Sequence, residues 1–177
     1  MIPRRIPLGG FALANGALSM GLMALAAFLT RQPLIFPSLG PTAFLIFHVP
    51  RAPSACPRNA LCGHAIAVGA GYLALVVFGL RHAEPALAGG VTLPWVGAAA
   101  LSLGLTAGLM VWLGVAHPPA GATTLIVALG ILPKPLELLT LLASVTALVA
   151  QGLIINRLAG VPYPLWGPPR PRRRAAR

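Results

Sequence analysis

The stretch AHPPAGATTLIVALG, which begins at Ala116, places polar side chains and two prolines inside a strongly apolar region. Residues 85–133 contain no Asp, Glu, Lys or Arg. The imidazole of His117 can bind an anion when it is protonated, or it can carry a proton. Proline lacks an N–H group and disfavours helix in the residue before it. We therefore expect extended segments at residues 117–119 and at residues 37–41, each leading into a helix.

The same pattern occurs earlier in the chain, in the stretch PSLGPTAFLI that begins at Pro37. Both stretches read P-x-x-G-x-T followed by an apolar run. A shift of 81 positions aligns Pro37 with Pro118, Gly40 with Gly121 and Thr42 with Thr123. The shift also aligns Gly16 with Gly97, Leu61 with Leu142 and Gly71 with Gly152. We infer an internal repeat.

Each P-x-x-G-x-T stretch predicts a helix N-terminus that can bind an anion. The first N–H groups of a helix have no partner within it, and the helix dipole is positive at that end. Threonines in the first turn add hydroxyl donors, and glycine permits close backbone approach. The candidate binding residues are Ser38, Gly40, Pro41, Thr42, His64, His117, Pro118, Pro119, Gly121, Thr123 and Thr124. The alternative is that both stretches are ordinary hairpin turns and that the histidines only form local hydrogen bonds.

Other chemistries find little support in the residue types. His48, Cys56, Cys62 and His64 have no metal-ligand spacing, so we expect no metal site and no cofactor. The two acidic residues, Glu84 and Glu137, both lie near predicted loops. No phosphate-binding loop, dinucleotide fingerprint or nucleophile elbow is present. We therefore do not expect an enzyme.

The composition identifies the setting of these residues. The 177-residue chain is 57% hydrophobic and 8% charged, with a mean hydropathy of +0.84. A soluble domain of this size needs far more polar surface. The fold class predicted is an all-α membrane protein with about six apolar segments, at residues 8–29, 34–49, 59–80, 93–115, 121–132 and 136–158. They form two halves, residues 8–80 and 89–161, of one domain at residues 1–166, followed by a basic tail at 167–177.

Arginine positions favour one topology. If all six segments cross with both termini inside, the inner side holds Arg4, Arg5, Arg51, Arg58, Arg157 and the tail, and the outer side holds Arg31, Arg81 and Lys134. This agrees with the positive-inside rule. The two halves would then be inverted relative to one another. The alternative has four spans and two re-entrant middle segments, which moves four basic residues outside: Arg31, Arg51, Arg58 and Lys134.

The net charge of +11 is explained by this topology and by contact with anionic lipid, so we do not expect binding to nucleic acid. The first 30 residues can also be read as a signal peptide, but their membership of the repeat favours a span. The abundance of Arg and Ala suggests a bacterial source, hence the inner membrane. A chain of six short segments also suggests a homo-oligomer, a dimer or larger.

Three stretches, FPSLGPTAFLIF, PRNALCGHAIA and HPPAGATTLIVALG, resemble the HPP family of integral membrane proteins, named after its His-Pro-Pro motif. The likeness runs from about Leu8 to Trp166. Plastid and cyanobacterial members are associated with nitrite transport, and the family is usually described with about four membrane helices. The resemblance implies that residues 117–119 matter, without saying which of them touches substrate.

These observations together predict a permease or channel for a small inorganic anion, with nitrite as the first candidate. A non-transporting membrane scaffold, or a subunit of a larger complex, is the main alternative. A membrane enzyme that uses His117 or His64 as a base lacks an acidic or nucleophilic partner. A cation channel is disfavoured by the scarcity of carboxylates.

Overall fold

A computed structural model describes residues 7–168 of the chain, and within them it is all-helical. The helices are α1 (Leu8–Thr30), α2 (Leu39–His48), α3 (Pro57–Val77), α4 (Ala86–Gly89), α5 (Leu93–Trp112), α6 (Ala120–Ala128) and α7 (Pro135–Leu158), with a 3-10 turn at Pro53–Ala55. These helices confirm the predicted fold class. The basic residues at 4 and 5 and most of the predicted tail lie outside the described residues.

Proline and glycine set the boundaries of these helices. α3, α5 and α7 have proline in the first turn, where the missing N–H costs no intrahelical bond. α3 and α7 are followed by Gly79 and Gly160, 81 positions apart, with φ angles of 68° and 73°. In each case the next N–H bonds back to the last turn of the helix, Leu80 to the carbonyl of Leu75 and Val161 to that of Asn156. α5 and α6 end in the same way at Gly114 and Gly130, so this ending is a general helix C-terminus of the fold and not a mark of the repeat.

Helix lengths divide the six apolar segments into two classes. α1, α3, α5 and α7 have 20 to 24 residues and are apolar enough to cross a membrane. α2 and α6 have only 10 and 9 residues, so each is about 15 Å long or less. A hydrocarbon core is about 30 Å thick, which a helix of this length cannot span alone. The helix lengths therefore match the alternative prediction of four spans and two short middle segments. They do not say whether the short segments cross or turn back.

The direction of the segments distinguishes a crossing from a re-entrant hairpin. Arg58, in the first turn of α3, donates its backbone N–H to the carbonyl of Trp166 and its guanidinium Nη2–H to the carbonyl of Gly114. The start of α3 therefore lies at the end of the bundle where α5 and α7 finish. If α2 turned back without crossing, the start of α3 and the end of α7 would lie at opposite ends.

Contacts of α1 and α2 complete this path. The rings of Phe11 and Phe47 pack edge to face with centroids 6.3 Å apart, and Asn156 donates to the carbonyl of Ile46. The start of α1 and the end of α2 therefore lie beside the end of α7. At the other end of the bundle the N–H of Ala86 bonds to the carbonyl of Leu129, just after α6. The chain thus reverses direction from each of the six apolar segments to the next. Non-helical residues before α2 and α6 add to the length of these two short segments.

The short helices pack against long helices through glycine at matched positions of the repeat. A Cβ on Gly71 of α3 would lie 2.8 Å from the Val127 Cβ of α6, and one on Gly152 of α7 would lie 2.5 Å from the Ile46 Cγ2 of α2. Gly71 matches Gly152 and Ile46 matches Val127 at the shift of 81. Because no larger residue fits at either glycine, the helices approach closely in both halves.

Candidate functional site

The starts of α2 and α6 meet at a polar cluster in the middle of the bundle. Thr42 Oγ1 lies 3.1 Å from His64 Nε2 and 3.1 Å from His117 Nε2. The other ring nitrogen of His64, Nδ1, lies 2.7 Å from Thr123 Oγ1. All four side chains are 0% exposed, and the two imidazole rings are 5.0 Å apart. We call Thr42, His64, His117 and Thr123 the His–Thr cluster.

The cluster joins equivalent positions of the repeat through one histidine. Thr42 lies in the first turn of α2, and Thr123 lies in the first turn of α6. His64, on α3, contacts both hydroxyls with its two ring nitrogens. The repeat offers Val145 at the position matching His64, so this bridge exists in one half only. The other half of the sequence repeat therefore has no equivalent of the cluster.

His117 is held by an extended segment that polar groups fix in place. His117 Nδ1 lies 2.7 Å from the backbone carbonyl of Ser54 in the 3-10 turn. Arg58 donates to the carbonyl of Gly114, and Asn59 donates its side-chain amide to that of Ala116. These bonds satisfy carbonyls that the broken helix leaves free, as non-helical backbone at membrane depth requires. The predicted extended segments are confirmed only in part: the backbone is extended up to His117, but residues 118–119 and 37–38 form turns, and α2 has already begun at Leu39. Proline is compatible with such a helical first turn, which explains the difference.

The two helix N-termini differ in the donors they leave free. In α6 the N–H groups of Ala120, Gly121 and Ala122 bond to the carbonyls of residues 117–119. In α2 the N–H of Leu39 bonds to the carbonyl of Phe36 and that of Thr42 belongs to the first helical turn, so the N–H of the exposed Gly40 is left without a backbone bond among residues 7–168. Ser38, just before α2, is fully buried, and its Oγ has no hydrogen-bond partner among the described residues. The start of α2 therefore keeps unused hydrogen-bonding capacity beside the His–Thr cluster.

The remaining candidate residues lie around the cluster in other roles. Thr124 bonds to Thr106 of α5 at 2.7 Å and to the carbonyl of Ala120, so it ties α6 to α5. The surface of the bundle has an apolar groove of about 350 Å³ next to the starts of α2 and α6. The groove is lined by Pro41, Phe44, Leu45, Pro118, Pro119 and Ala122.

Gly40 and Gly121 were predicted to permit close backbone approach, and the structure shows no close contact at either residue. A Cβ on Gly40 would have nothing within 4 Å, and one on Gly121 would make only an ordinary contact, 3.6 Å from Leu103 Cδ1. Neither φ is positive. The glycines that permit close approach to α2 and α6 are Gly63 and Gly71 of α3 and Gly152 of α7, which lie outside the P-x-x-G-x-T stretches.

The cluster has no acidic neighbour. Glu137 accepts a hydrogen bond from the backbone N–H of Lys134 at the start of α7, and Glu84 packs beside Gly89 in the loop before α5. Both lie toward the opposite end of the bundle from Ser54 and Arg58. No group of three or more His, Cys, Asp or Glu side chains with metal-binding geometry occurs among the residues described.

Sequence reasoning missed the residues that hold the cluster together: Ser54, Arg58, Asn59 and Thr106. Arg58 was read only as an anchor at the membrane surface, and Asn59 was not assigned. The sequence does carry a signal for Arg58 and Asn59, because they are hydrogen-bond donors at the start of an otherwise apolar predicted span. The carbonyl of Ser54 carries no signal in the sequence, since every residue has one.

Comparison with known proteins agrees with this architecture. The family model described as HPP, transmembrane region, matches residues 6–164. A transmembrane protein of Dictyostelium discoideum is 27% identical over 157 residues, which cover 82% of this chain and 52% of that protein. The chain thus spans about half the length of this curated relative. No solved structure matches the chain. Because the family match covers nearly all of the described helices, the chain belongs to the HPP family of integral membrane proteins.

Proposed function

We propose that this protein is a permease or channel for a small inorganic anion, with nitrite as the first candidate. The observation that carries the proposal is the start of α2. There, the unpartnered hydroxyl of the buried Ser38 lies next to Thr42, whose own hydroxyl contacts His117, and no carboxylate is nearby. Donors at a helix N-terminus favour an anion, and a nearby imidazole can add positive charge.

The mechanism requires the closed cluster to open. Its side chains are fully buried and bonded to one another, so the anion must exchange with some of these bonds. We propose that the two halves are an inverted repeat, and that α2 and α6 move alternately against α7 and α3. The matched contacts Gly152–Ile46 and Gly71–Val127 lie near the far ends of α2 and α6 and would stay in place while the starts of these helices move. No enzymatic step and no cofactor form part of this proposal.

We also propose an orientation in a bacterial inner membrane. The end of the bundle that carries Arg51, Arg58 and Arg157 would face the cytoplasm, together with both termini. The test is labelling of single cysteines in intact cells, after Cys56 and Cys62 are replaced by alanine. Arg51→Cys should be protected from an impermeant thiol reagent, and Lys134→Cys should react. Labelling of both residues from outside would contradict the six-crossing path.

A homo-oligomer is part of the proposal, because α1 is only loosely attached. Its buried residues are three, Phe11, Ser19 and Met23, and its remaining apolar surface faces outward. That face can contact lipid or a second copy, and the mass of the purified protein in nanodiscs would distinguish the two cases.

The direct test is anion uptake by purified protein in liposomes, comparing nitrite, nitrate, formate and chloride. His117→Ala and Thr123→Val remove cluster groups and should lower uptake at least about tenfold, as expected when positioning groups at a site are lost. Thr146→Val is the matched control, because Thr146 is exposed on α7 and bonds only to the carbonyl of Leu142. Equal uptake by all four proteins would contradict the placement of the site.

One observation favours a second candidate function, a structural subunit of a membrane complex. All four ring nitrogens of His64 and His117 already have partners within the chain. Such saturation is typical of a structural polar network. Folded protein that transports none of the four anions would favour this candidate.

A further inference from the structure

The hydrogen-bond network around Thr42 has more short contacts than protons. Five contacts each require one proton: Thr123–His64, His64–Thr42, Thr42–His117, His117–Ser54 carbonyl and Thr42–Ser38 carbonyl, at 2.7, 3.1, 3.1, 2.7 and 2.9 Å. With both imidazoles neutral, each histidine and each threonine supplies one proton, which makes four. One contact therefore lacks a proton when the cluster is neutral.

Obligate acceptors fix where four of the protons must point. A backbone carbonyl only accepts, so His117 carries its proton on Nδ1 and donates it to Ser54. Thr123 has His64 Nδ1 as its hydrogen-bond partner among the described residues, so the Thr123 hydroxyl donates to it. His64 then carries its proton on Nε2 and donates it to Thr42. Thr42 has one hydroxyl proton left for two acceptors, His117 Nε2 and the carbonyl of Ser38.

One additional proton resolves this competition at a single atom. If it binds to His117 Nε2, that N–H donates to Thr42, and the Thr42 hydroxyl turns to donate to Ser38. Thr42 then accepts two bonds and donates one, and all five contacts are hydrogen bonds. On His64 the same proton would sit on Nδ1 and leave the Thr123 hydroxyl without an acceptor. The network is thus complementary to a singly protonated cluster with the charge on His117.

We infer that His117 takes up one proton with each anion, so that this protein is a proton-coupled anion transporter with Thr42 as the hydroxyl that reorients. The inference rests on the proposed function. Proton binding converts a neutral ring into a cation beside the start of α2, where the anion binds. The pair is then neutral overall, which lowers the cost of holding either charge inside the membrane. Only the N–H bond at Nε2 forms, and the proton comes from water on the side that is open.

The surroundings offer no competing acid or base at the cluster. α3 contributes His64 and, at its first turn, the guanidinium of Arg58, which is bonded to Gly114. It also contributes the thiol of Cys62, which packs toward Met110 and Ala120, and the phenol of Tyr72 about two turns further on. Cys56 precedes α3, and Tyr163 donates to the carbonyl of Ala55 next to the 3-10 turn. The titratable residue of α2, His48, stacks on Phe44 at the far end of that helix. α5 and α6 contribute no titratable side chain, so the two histidines are the bases of the cluster, and the hydrogen-bond pattern selects His117.

The first test measures which gradient drives anion accumulation in liposomes. With one proton per anion, the anion should accumulate about tenfold for each unit of pH difference, and a membrane potential set with potassium and valinomycin should have no effect. Protein-free liposomes correct for diffusion of the undissociated acid. Thr42→Val should lose the pH response, and Thr42→Ser, which keeps the hydroxyl, should retain it. Accumulation that follows the potential and ignores pH would overturn proton coupling while leaving anion transport intact.

A second test does not depend on transport. Nitrogen NMR of ¹⁵N-histidine protein in nanodiscs distinguishes neutral from cationic imidazole, and His117→Gln assigns the signal. We expect His117 to become reversibly cationic between pH 8 and pH 5, with both nitrogens hydrogen-bonded, and Thr42→Val to abolish this form in that range. A neutral His117 throughout would overturn the inference. If the protein moves no anion, the proposed function fails, and the NMR result still decides whether the cluster binds a proton.

Discussion

The His64→Ala variant is expected to unfold about 3 kcal/mol more easily than the parent protein. His64 is fully buried, so its removal leaves a cavity between α3 and the two short helices. It also removes two interhelical hydrogen bonds, which contribute about 0.6 to 1.7 kcal/mol each in membrane proteins. The hydroxyls of Thr42 and Thr123 then lose their common partner. The measurement is the free energy of unfolding in mixed micelles as the fraction of denaturing detergent increases.

Two further variants test whether the lower free energy of unfolding comes from the position of His64 and not from the removal of any histidine. His82→Ala changes an exposed residue in the loop after α3 and should alter the free energy of unfolding by less than about 0.5 kcal/mol. His64→Gln keeps an amide that can donate and accept, so it should restore part of the loss. A His64→Ala protein as stable as His82→Ala would mean that the cluster does not hold α2 and α6 together.

Local sequence signals were sufficient to predict the helices and the threonines of the site. Proline disrupts helix and fixes where one can begin, so the P-x-x-G-x-T pattern correctly indicated the starts of α2 and α6, with Thr42 and Thr123 in their first turns. The repeat at a shift of 81 predicted that these two positions are equivalent. Hydropathy predicted the four long helices, because a helix that crosses a membrane needs a long apolar run.

The partners of these residues could not be predicted, because they depend on how distant segments pack. His64 is 22 residues from Thr42 and 59 from Thr123, and no spacing rule connects them. The same holds for glycine. Gly40 and Gly121 stand in a repeated motif, yet a Cβ there meets open space or an ordinary contact, whereas Gly63 and Gly71 lie where α3 packs against α6. Residue type indicated that close approach was possible, and only the packing determined where it occurs.

The Gly63→Ala variant is expected to lose at least about tenfold in anion uptake, through displacement of His117. A Cβ at Gly63 would lie 2.9 Å from His117 Cβ and 3.3 Å from Met110 Sδ. Real Cβ atoms essentially never approach so closely, so the segment at 117–119 must shift away from α3. The bonds from His117 to Ser54 and Thr42 cannot both keep their geometry after such a shift, and misplaced site groups are costly. The measurement is uptake in liposomes at equal amounts of folded protein.

Two other glycines of α3 make the comparison decisive. Gly71→Ala creates an equally tight contact, 2.8 Å from Val127 Cβ, but it does so about two turns away from His117. Overpacking should destabilise both variants by about 1 to 3 kcal/mol, yet only Gly63→Ala should lose most of its uptake. Gly69→Ala, where a Cβ meets nothing within 4 Å, should change neither quantity. If Gly63→Ala and Gly71→Ala lose uptake equally, the loss reflects the packing of α3 against α6, and the position of His117 is not what limits transport.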